Sequence, residues 1–494
     1  MNSLKLFAVL TFAILIGSCK KDTVTSIPEN LLYATKGEQP GIYNQKGQLV
    51  ILRGVNYNVL GDYWQGNPDL PATKSYDKED FKQMASYGMN CVRLLFNWSE
   101  LEPNKGVINQ AYIQEIEQAV KDAAEFGIYI LLDMHQDAWG KDIVSSVDEN
   151  CDLLNNGWDG APKWATFTDG ASTCRETGRE SAPAVIHAFQ NFWDNTDNIQ
   201  DEAIKSWVAL VEATARYPNV VGYDLLNEPG LGYKPITQEL EKVAKYYRKL
   251  ITAIRNAEST SRGLEHIIFF ETTITWNGQP LPGIVKTDFT DEPNILFAPH
   301  NYFESISYEL TVEQGYKLLE NLASLYKMSL FIGEWGFFGD TALDKQKLIR
   351  FAKLEDQALA SSTWWQWAQA PGDPHAISWD GTTFDPFSLH LVELDITAKP
   401  TGKINKTYLH ILARSRPLAI HGTRISFTSD SETGSFMLSA SAKESGTTQI
   451  WIPNWDNKEP QISGENMELL QLKTVNGGWI ADCKVFDQYR IVIN

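Results

Sequence analysis

The sequence predicts a (β/α)8 barrel followed by a small C-terminal antiparallel β-sandwich domain, on three observations. From residue 31 short apolar strands alternate with amphipathic helices, the rhythm of a parallel sheet wrapped by helices. Several strands end in a charged or polar residue, where such a barrel opens its mouth. After about residue 415 helical periodicity stops, and short strands between turn residues take over. An open doubly wound sheet would start on a glycine-rich turn, which is lacking.

In chain order, Lys5 precedes an apolar run over 6–16 that Gly17, Ser18 and Cys19 end. The run is too short to span a bilayer and has the form of a secretory signal. Ile16-Gly-Ser-Cys19 resembles a bacterial lipobox, so residues 1–19 are expected to be a lipoprotein signal peptide with a lipidated cysteine. Residues 20–30 would be a polar tether, and the protein an exported, membrane-anchored lipoprotein on the periplasmic or cell-surface face. A plain signal peptide is the alternative. The barrel is assigned to 31–414 and the sandwich to 415–494.

Barrel strands are expected at 49–57, 90–96, 129–134, 220–226, 266–271, 295–299, 329–336 and 362–367. Helices are expected at 77–87, 110–126, 201–216, 238–255, 311–326 and 343–360. A polar insertion over 139–183 is long for a connection, which marks a lid or binding wall. Within it a disulfide between Cys151 and Cys174 is expected, while Cys91 and Cys483 read as buried thiols.

A net charge of −19 argues against nucleic acid, and no phosphate loop, Cys-x-x-Cys pair or His-Glu-x-x-His helix is present. No metal and no nucleotide cofactor is therefore expected. The chemistry lies instead in two strand ends. Val220-Val-Gly-Tyr-Asp-Leu-Leu-Asn-Glu-Pro229 delivers Glu228, and Ser329-Leu-Phe-Ile-Gly-Glu-Trp-Gly336 delivers Glu334. Two carboxyls converging on a barrel mouth suit glycoside hydrolysis, which needs one protonated and one ionised. Glu228 is read as the acid/base, Glu334 as the nucleophile, and water as the co-substrate.

Arg93, inside an apolar strand, needs a carboxylate partner, and Glu334 is the expected one. His135 and Asp137 end the third strand and are placed to hold sugar hydroxyls; Asn227 is placed for the 2-hydroxyl. Tyr302 is expected to bond the nucleophile and His300 to orient the acid/base. Trp365 or Trp367 would floor the pocket, and Glu271 reads as a supporting carboxylate.

Asn227-Glu-Pro229 with Gly333-Glu-Trp-Gly336 resembles glycoside hydrolase family 5. The resemblance implies an active-site set of Arg93, His135, Asn227, Glu228, His300, Tyr302, Glu334 and Trp365. Leu132-Asp-Met-His-Gln-Asp-Ala-Trp139, Asp159-Gly-Ala-Pro-Lys-Trp-Ala165 and Arg416-Pro-Leu-Ala-Ile-His-Gly-Thr423 resemble its endoglycoceramidase branch. That branch cuts between oligosaccharide and ceramide, and it implies that Asp137 and Trp164 hold the sugar next to the ceramide. Leu60 stands where the branch carries a sugar-contacting lysine. The expectation is a retaining endo-β-glycosidase acting on glycosphingolipids. Competing readings are an endo-β-glucanase or mannanase, a glucosylceramidase or β-glucosidase, and an inactive surface glycan-binding lipoprotein.

Overall fold

The computed structural model describes residues 27–146, 148–274, 285–307, 310–337, 339, 341–376 and 390–494. The signal peptide, Cys19 and most of the tether expected from the sequence lie outside them. No helix among the described residues is long and apolar enough to cross a membrane.

Three short strands come first: β1 (Leu32–Thr35), β2 (Gly41–Asn44) and β3 (Leu49–Val50). The barrel follows with β4 (Arg53–Tyr57), β5 (Cys91–Phe96), β6 (Tyr129–Met134), β7 (Val220–Asp224), β8 (Ile267–Phe270), β9 (Ile295–Phe297), β10 (Phe331–Trp335) and β11 (Ser361–Trp364). These eight pair in parallel, in the order β10-β11-β4-β5-β6-β7-β8-β9. Isolated parallel bridges, Phe297 to Leu330 and Asn301 to Trp335, close the ring between β9 and β10. The expected (β/α)8 barrel is present, with strands buried along their length as a helix-covered parallel sheet requires.

Helices α1 (Glu79–Ser86), α2 (Trp98–Leu101), α3 (Gln110–Glu125), α4 (Pro183–Trp193), α5 (Ile199–Thr214), α6 (Ile236–Thr260), α7 (Val312–Tyr326), α8 (Ala342–Gln357) and α9 (Lys406–Leu412) are interleaved with the strands. Local chemistry sets their starts. Thr311 with Gln314 and Thr341 with Asp344 form capping boxes, and Asn109 caps α3. Helix α4 directly follows the stretch read as the insertion and was not foreseen. No helix lies between Phe270 and Ile295 among the described residues.

The strand expected over 49–57 divides in two. β3 pairs with β14 (Arg416–Ile420), whereas β4 enters the barrel. The hairpin β1–β2 thereby joins the C-terminal sheet, although sequence assigned everything from residue 31 to the barrel. Leu32, Ala34 and Ile42 pack with Leu52, Leu131, Ile267 and Phe331, forming an apolar cluster in the barrel interior.

After a two-stranded excursion, β12 (Val392–Leu394) and β13 (Pro400–Ile404), comes the separate antiparallel domain. Its further strands are β15 (Thr423–Ser429), β16 (Phe436–Pro453), β17 (Ile462–Val475) and β18 (Gly478–Ile493). The short strands expected here are pieces of longer ones. Across the β16–β18 bulge, Ala442 to Gly446 on one strand opposes Asp487 to Val485 on the other. Bulges bend strands and break their period, which is why the sequence read as more strands than exist. Cys483 is buried in this domain and Cys91 in the barrel, both as free thiols, and Cys151 is bonded to Cys174.

Candidate active site

The barrel interior holds Arg93, fully buried on β5. Its Nη1 donates to Glu334 Oε1 at 2.7 Å and to Asn56 Oδ1 at 3.1 Å. Nη2 donates to Asn227 Oδ1 at 2.9 Å, and Nε to Asp224 Oδ2 at 2.9 Å. Asp133 Oδ1 and Glu271 Oε1 stand 3.0 and 3.2 Å from Nη2. The expected Arg93–Glu334 pair is one of four ion pairs on a single guanidinium. Asp133 and Asp224 had not been singled out, although both are charged residues inside apolar strands. They are register partners on β6 and β7, a signal the sequence does contain.

Tyr302 donates from its hydroxyl to Glu334 Oε2 at 3.0 Å. His300 Nδ1 lies 2.8 Å from Glu228 Oε1 and 3.4 Å from Glu334 Oε2, and its Nε2 lies 3.1 Å from Glu271. One oxygen each of Glu228 and Glu334 and a ring nitrogen of His300 fall within 4.8 Å of one another. Glu228 has φ +36°, and Ala138 and Trp139 also have positive φ. Such backbone is costly for residues with a Cβ and gathers at functional sites.

Electrostatics divides these groups. Burial pushes Glu271 up to about 8 and Asp133 up to about 7, and it raises Asp224, against the pull of nearby cations. Burial alone would strip His300 of its proton, but Glu271, Glu334 and Glu228 hold it well above the usual imidazole range. Burial also raises Glu228, yet His300 and Arg179 outweigh it and hold that carboxyl below its ordinary range. His135 lies low, at about 4, because it is buried.

One wall of the mouth is built from loops. His135 Nδ1 bonds Asp133 at 2.7 Å, and its ring stacks on Trp365 at 5.5 Å. Trp365 clusters with Tyr302 and Leu95, whereas Trp367 packs in the main core; Trp365 is the one of the two beside the Glu334 partner Tyr302. Asp137 pairs with Arg179, and with His375 Nε2 at 2.8 Å. His375 Nδ1 in turn meets Asp373 at 2.8 Å. Burial opposes its charge, but Asp373 and Asp137 raise His375 to about 10. Gly160, at φ +128°, lets the insertion return so that Asp159 bridges Asp137; a Cβ there would strike Gln136 and the Trp139 carbonyl.

Not every expected residue joins this constellation. The Trp164 indole donates to the Glu102 carbonyl at 2.9 Å, and its ring meets Trp98 and Lys105. Trp158 is the insertion tryptophan beside His375, at 5.1 Å, and Arg179, at 4.3 Å. Asn227 is part of the frame: its amide donates to the Gln136 carbonyl while its oxygen accepts from Arg93. Leu60 is buried, and its carbonyl accepts from Tyr112. Arg179, His375 and Asp373 were missed because they are distant in sequence and sit in loops without periodicity. His135, Asp137 and Asp159, like Glu228, His300 and Glu334, converge as metal ligands can, but guanidinium groups already face both sets.

A barrel whose mouth presents two close carboxyls, one beside an arginine and a tyrosine and the other beside a histidine, has the site of a glycoside hydrolase. Residues 43–371 match the cellulase family, glycosyl hydrolase family 5, and the chain belongs to that family. It is 25% identical over 448 residues to an endoglycoceramidase of Cyanea nozakii, covering 83% of this chain and 81% of that one. With endoglycoceramidase I of Rhodococcus hoagii it shares 27% identity over 267 residues, 52% of this chain and 50% of the other. A crystal structure of an endogalactoceramidase superposes with a TM-score of 0.85 at 34% identity, covering 94% of this chain and all of that one.

Proposed function

We propose that the protein is a retaining endo-β-glycosidase that hydrolyses the bond between oligosaccharide and ceramide in glycosphingolipids. The observation that carries the retaining mechanism is the closeness of Glu228 and Glu334, with oxygens within 4.8 Å. That spacing suits direct attack by one carboxylate and leaves no room for the water that inverting enzymes place between theirs. The substrate class is supported by relatives named for ceramide glycosides, two of which align along most of both chains.

Glu334 is the nucleophile, oriented by Arg93 and Tyr302. Glu228 is the acid/base. With substrate absent its surroundings favour the carboxylate, the form that takes a proton from water in the second half-reaction. Entry of the substrate removes water from around the carboxylate and favours the protonated form, which the first half-reaction needs. Asn227 has a second amide hydrogen for the sugar 2-hydroxyl, and Trp365 floors the pocket. His135, largely neutral at pH 7, holds the ring of Trp365, and Asp137 meets the sugar through the wall it shares with Arg179 and His375. The sugar contact expected of Trp164 passes to Trp158. Cys19, by its lipobox, would anchor the protein to a membrane where such lipids are met; labelling with a palmitate analogue, lost in C19A, tests this.

The deciding assay incubates lactosylceramide, glucosylceramide and a soluble β-glucan with the protein and with E334Q. Intact lactose and free ceramide, absent with E334Q, is the expected result. Cleavage of the β-glucan alone would refute the ceramide reading and leave the barrel chemistry standing.

A further inference from the structure

The cation in the wall beside Glu228 helps to keep that carboxyl ionised, but it has donors that the hydrolytic chemistry above does not use. Arg179 comes from the insertion, at the start of the turn Arg179–Ser181. Its guanidinium lies 4.3 Å from the Trp158 ring centroid, pairs with Asp137 through Nη2, and meets Glu180 through Nε at 2.5 Å. Nη1 has His375 Nε2 at 3.4 Å, but that nitrogen is itself committed to Asp137 at 2.8 Å. A guanidinium carries five N–H groups, and the two acidic partners use two of them. The side chain keeps 20% of its surface open.

Glu228 shows which way those remaining donors matter. Its Oε1 is engaged by His300 Nδ1 at 2.8 Å, and its Oε2 faces Arg179 Nη2 at 3.7 Å. The guanidinium thus stands beside the carboxyl that exchanges a proton with the glycosidic oxygen, on its Oε2 side. A leaving oxygen that takes its proton from Glu228 would bring the atoms one or two bonds beyond it toward a guanidinium only 3.7 Å from that carboxyl. Stacking on Trp158 and pairing with Asp137 fix the plane of the fork before a substrate arrives, so little ordering is lost on binding.

We propose that Arg179 reads the leaving group, donating to a polar acceptor within a few bonds of the glycosidic oxygen, such as the amide carbonyl or neighbouring hydroxyl of a ceramide. This rests on the ceramide reading above. Lysine, a point donor without the fork, does not replace arginine in this role.

The test compares lactosylceramide with octyl β-lactoside, whose aglycone has no acceptor near the glycosidic oxygen, in detergent with the full-length protein, R179K and R179Q. The quantity read is the ratio of kcat/KM for the two substrates within one preparation, which is insensitive to the folded fraction. Both variants are expected to lower that ratio by about tenfold to a hundredfold, the loss of a charge-assisted hydrogen bond. Equal losses on both substrates would overturn the proposal and make Arg179 a tuner of Glu228 or a packing residue. Losses confined to a sialylated substrate such as ganglioside GM3 would overturn it too, placing the arginine against a sugar carboxylate. If the unsubstituted protein cleaves octyl β-lactoside and leaves lactosylceramide intact, the ceramide reading itself fails, whatever the variants do.

Discussion

Two clusters of buried arginine and carboxylate stand in this barrel, and their charge balance differs. At the start of β4, Arg53 meets Glu355 and Asp356 at 3.3 Å each, and Arg414 meets the same pair at 2.7 and 2.6 Å. Two guanidiniums face two carboxylates, and a third arginine, Arg416, is pushed down to about 9 by burial and by these two neighbours. In the mouth the excess has the opposite sign. Asp133, Asp224, Glu228, Glu271 and Glu334 gather around Arg93 and His300, with Arg179 at the edge beside Glu228. In the first cluster every carboxylate is closed by two guanidiniums, and the ion pairs serve as a joint between α8, the barrel and the C-terminal domain. An acid-rich cluster cannot ionise completely, because like charges in a dry site repel, so some of its carboxyls keep protons near neutral pH. Movable protons are what glycoside hydrolysis needs.

The two clusters differ most at the reacting carboxyls. E334Q is expected to lower kcat by at least about 10⁴-fold, and E228Q by about 10²- to 10⁴-fold, with a smaller loss on an aryl lactoside that leaves without acid help. Steady-state kinetics on lactosylceramide and 4-nitrophenyl lactoside reads both. A loss in E228Q that is equal on the two substrates would remove the acid role.

Next come the two arginines. R93M should lower kcat by about 10²- to 10³-fold with a modest loss of stability, since the carboxyls it leaves can take up protons. R414M should do the reverse, costing about 3–5 kcal/mol in denaturant unfolding while the folded fraction keeps its turnover. Similar profiles for the two would mean that charge balance does not separate the clusters.

Proton binding gives a smaller effect with a definite sign. Glu271 at about 8 and Asp133 at about 7 hold protons in the fold that the unfolded chain releases near 4. Their contribution is complete below that unfolded value and is lost as pH rises through 7 to 8, so the melting temperature should fall from pH 5 to pH 8.5. E271Q should flatten that decline by at most about 1.4 kcal/mol per pH unit. A profile in E271Q parallel to the unsubstituted one would refute the assignment.

The smallest effect concerns the loop-built wall. Opening the Cys151–Cys174 bond, which closes a 23-residue separation, with the C151S/C174S pair should raise KM for lactosylceramide more than it lowers kcat. The strand-built Arg93 cluster does not depend on that loop. A fall in kcat at constant KM would show that the insertion reaches the chemistry directly.

Much of the site is legible in the chain because strand ends have a signature. Glu228, Glu334, His300 and Tyr302 each follow a short apolar run, and Arg93 interrupts one, so each stood out against its neighbours. Asp133 and Asp224 were equally visible as charges in apolar strands, but only pairing in register shows that they share a guanidinium. Arg179 and His375 leave no trace of that kind. Each reaches Asp137 from a distant loop, and no periodicity records where a loop's tip will lie.

The sequence by itself determined the barrel, its order of strands and the two carboxyls at its mouth, since burial period and turn chemistry are local and survive in the primary structure. Tertiary structure alone decided that residues 32–50 pair with the C-terminal sheet, that Trp158 packs on Arg179 and His375 while Trp164 packs on Trp98, and that five carboxyls crowd three cations. Those outcomes depend on distances between residues far apart in the chain, and the electrostatics that follows exists only once folding has brought them together and driven out the water.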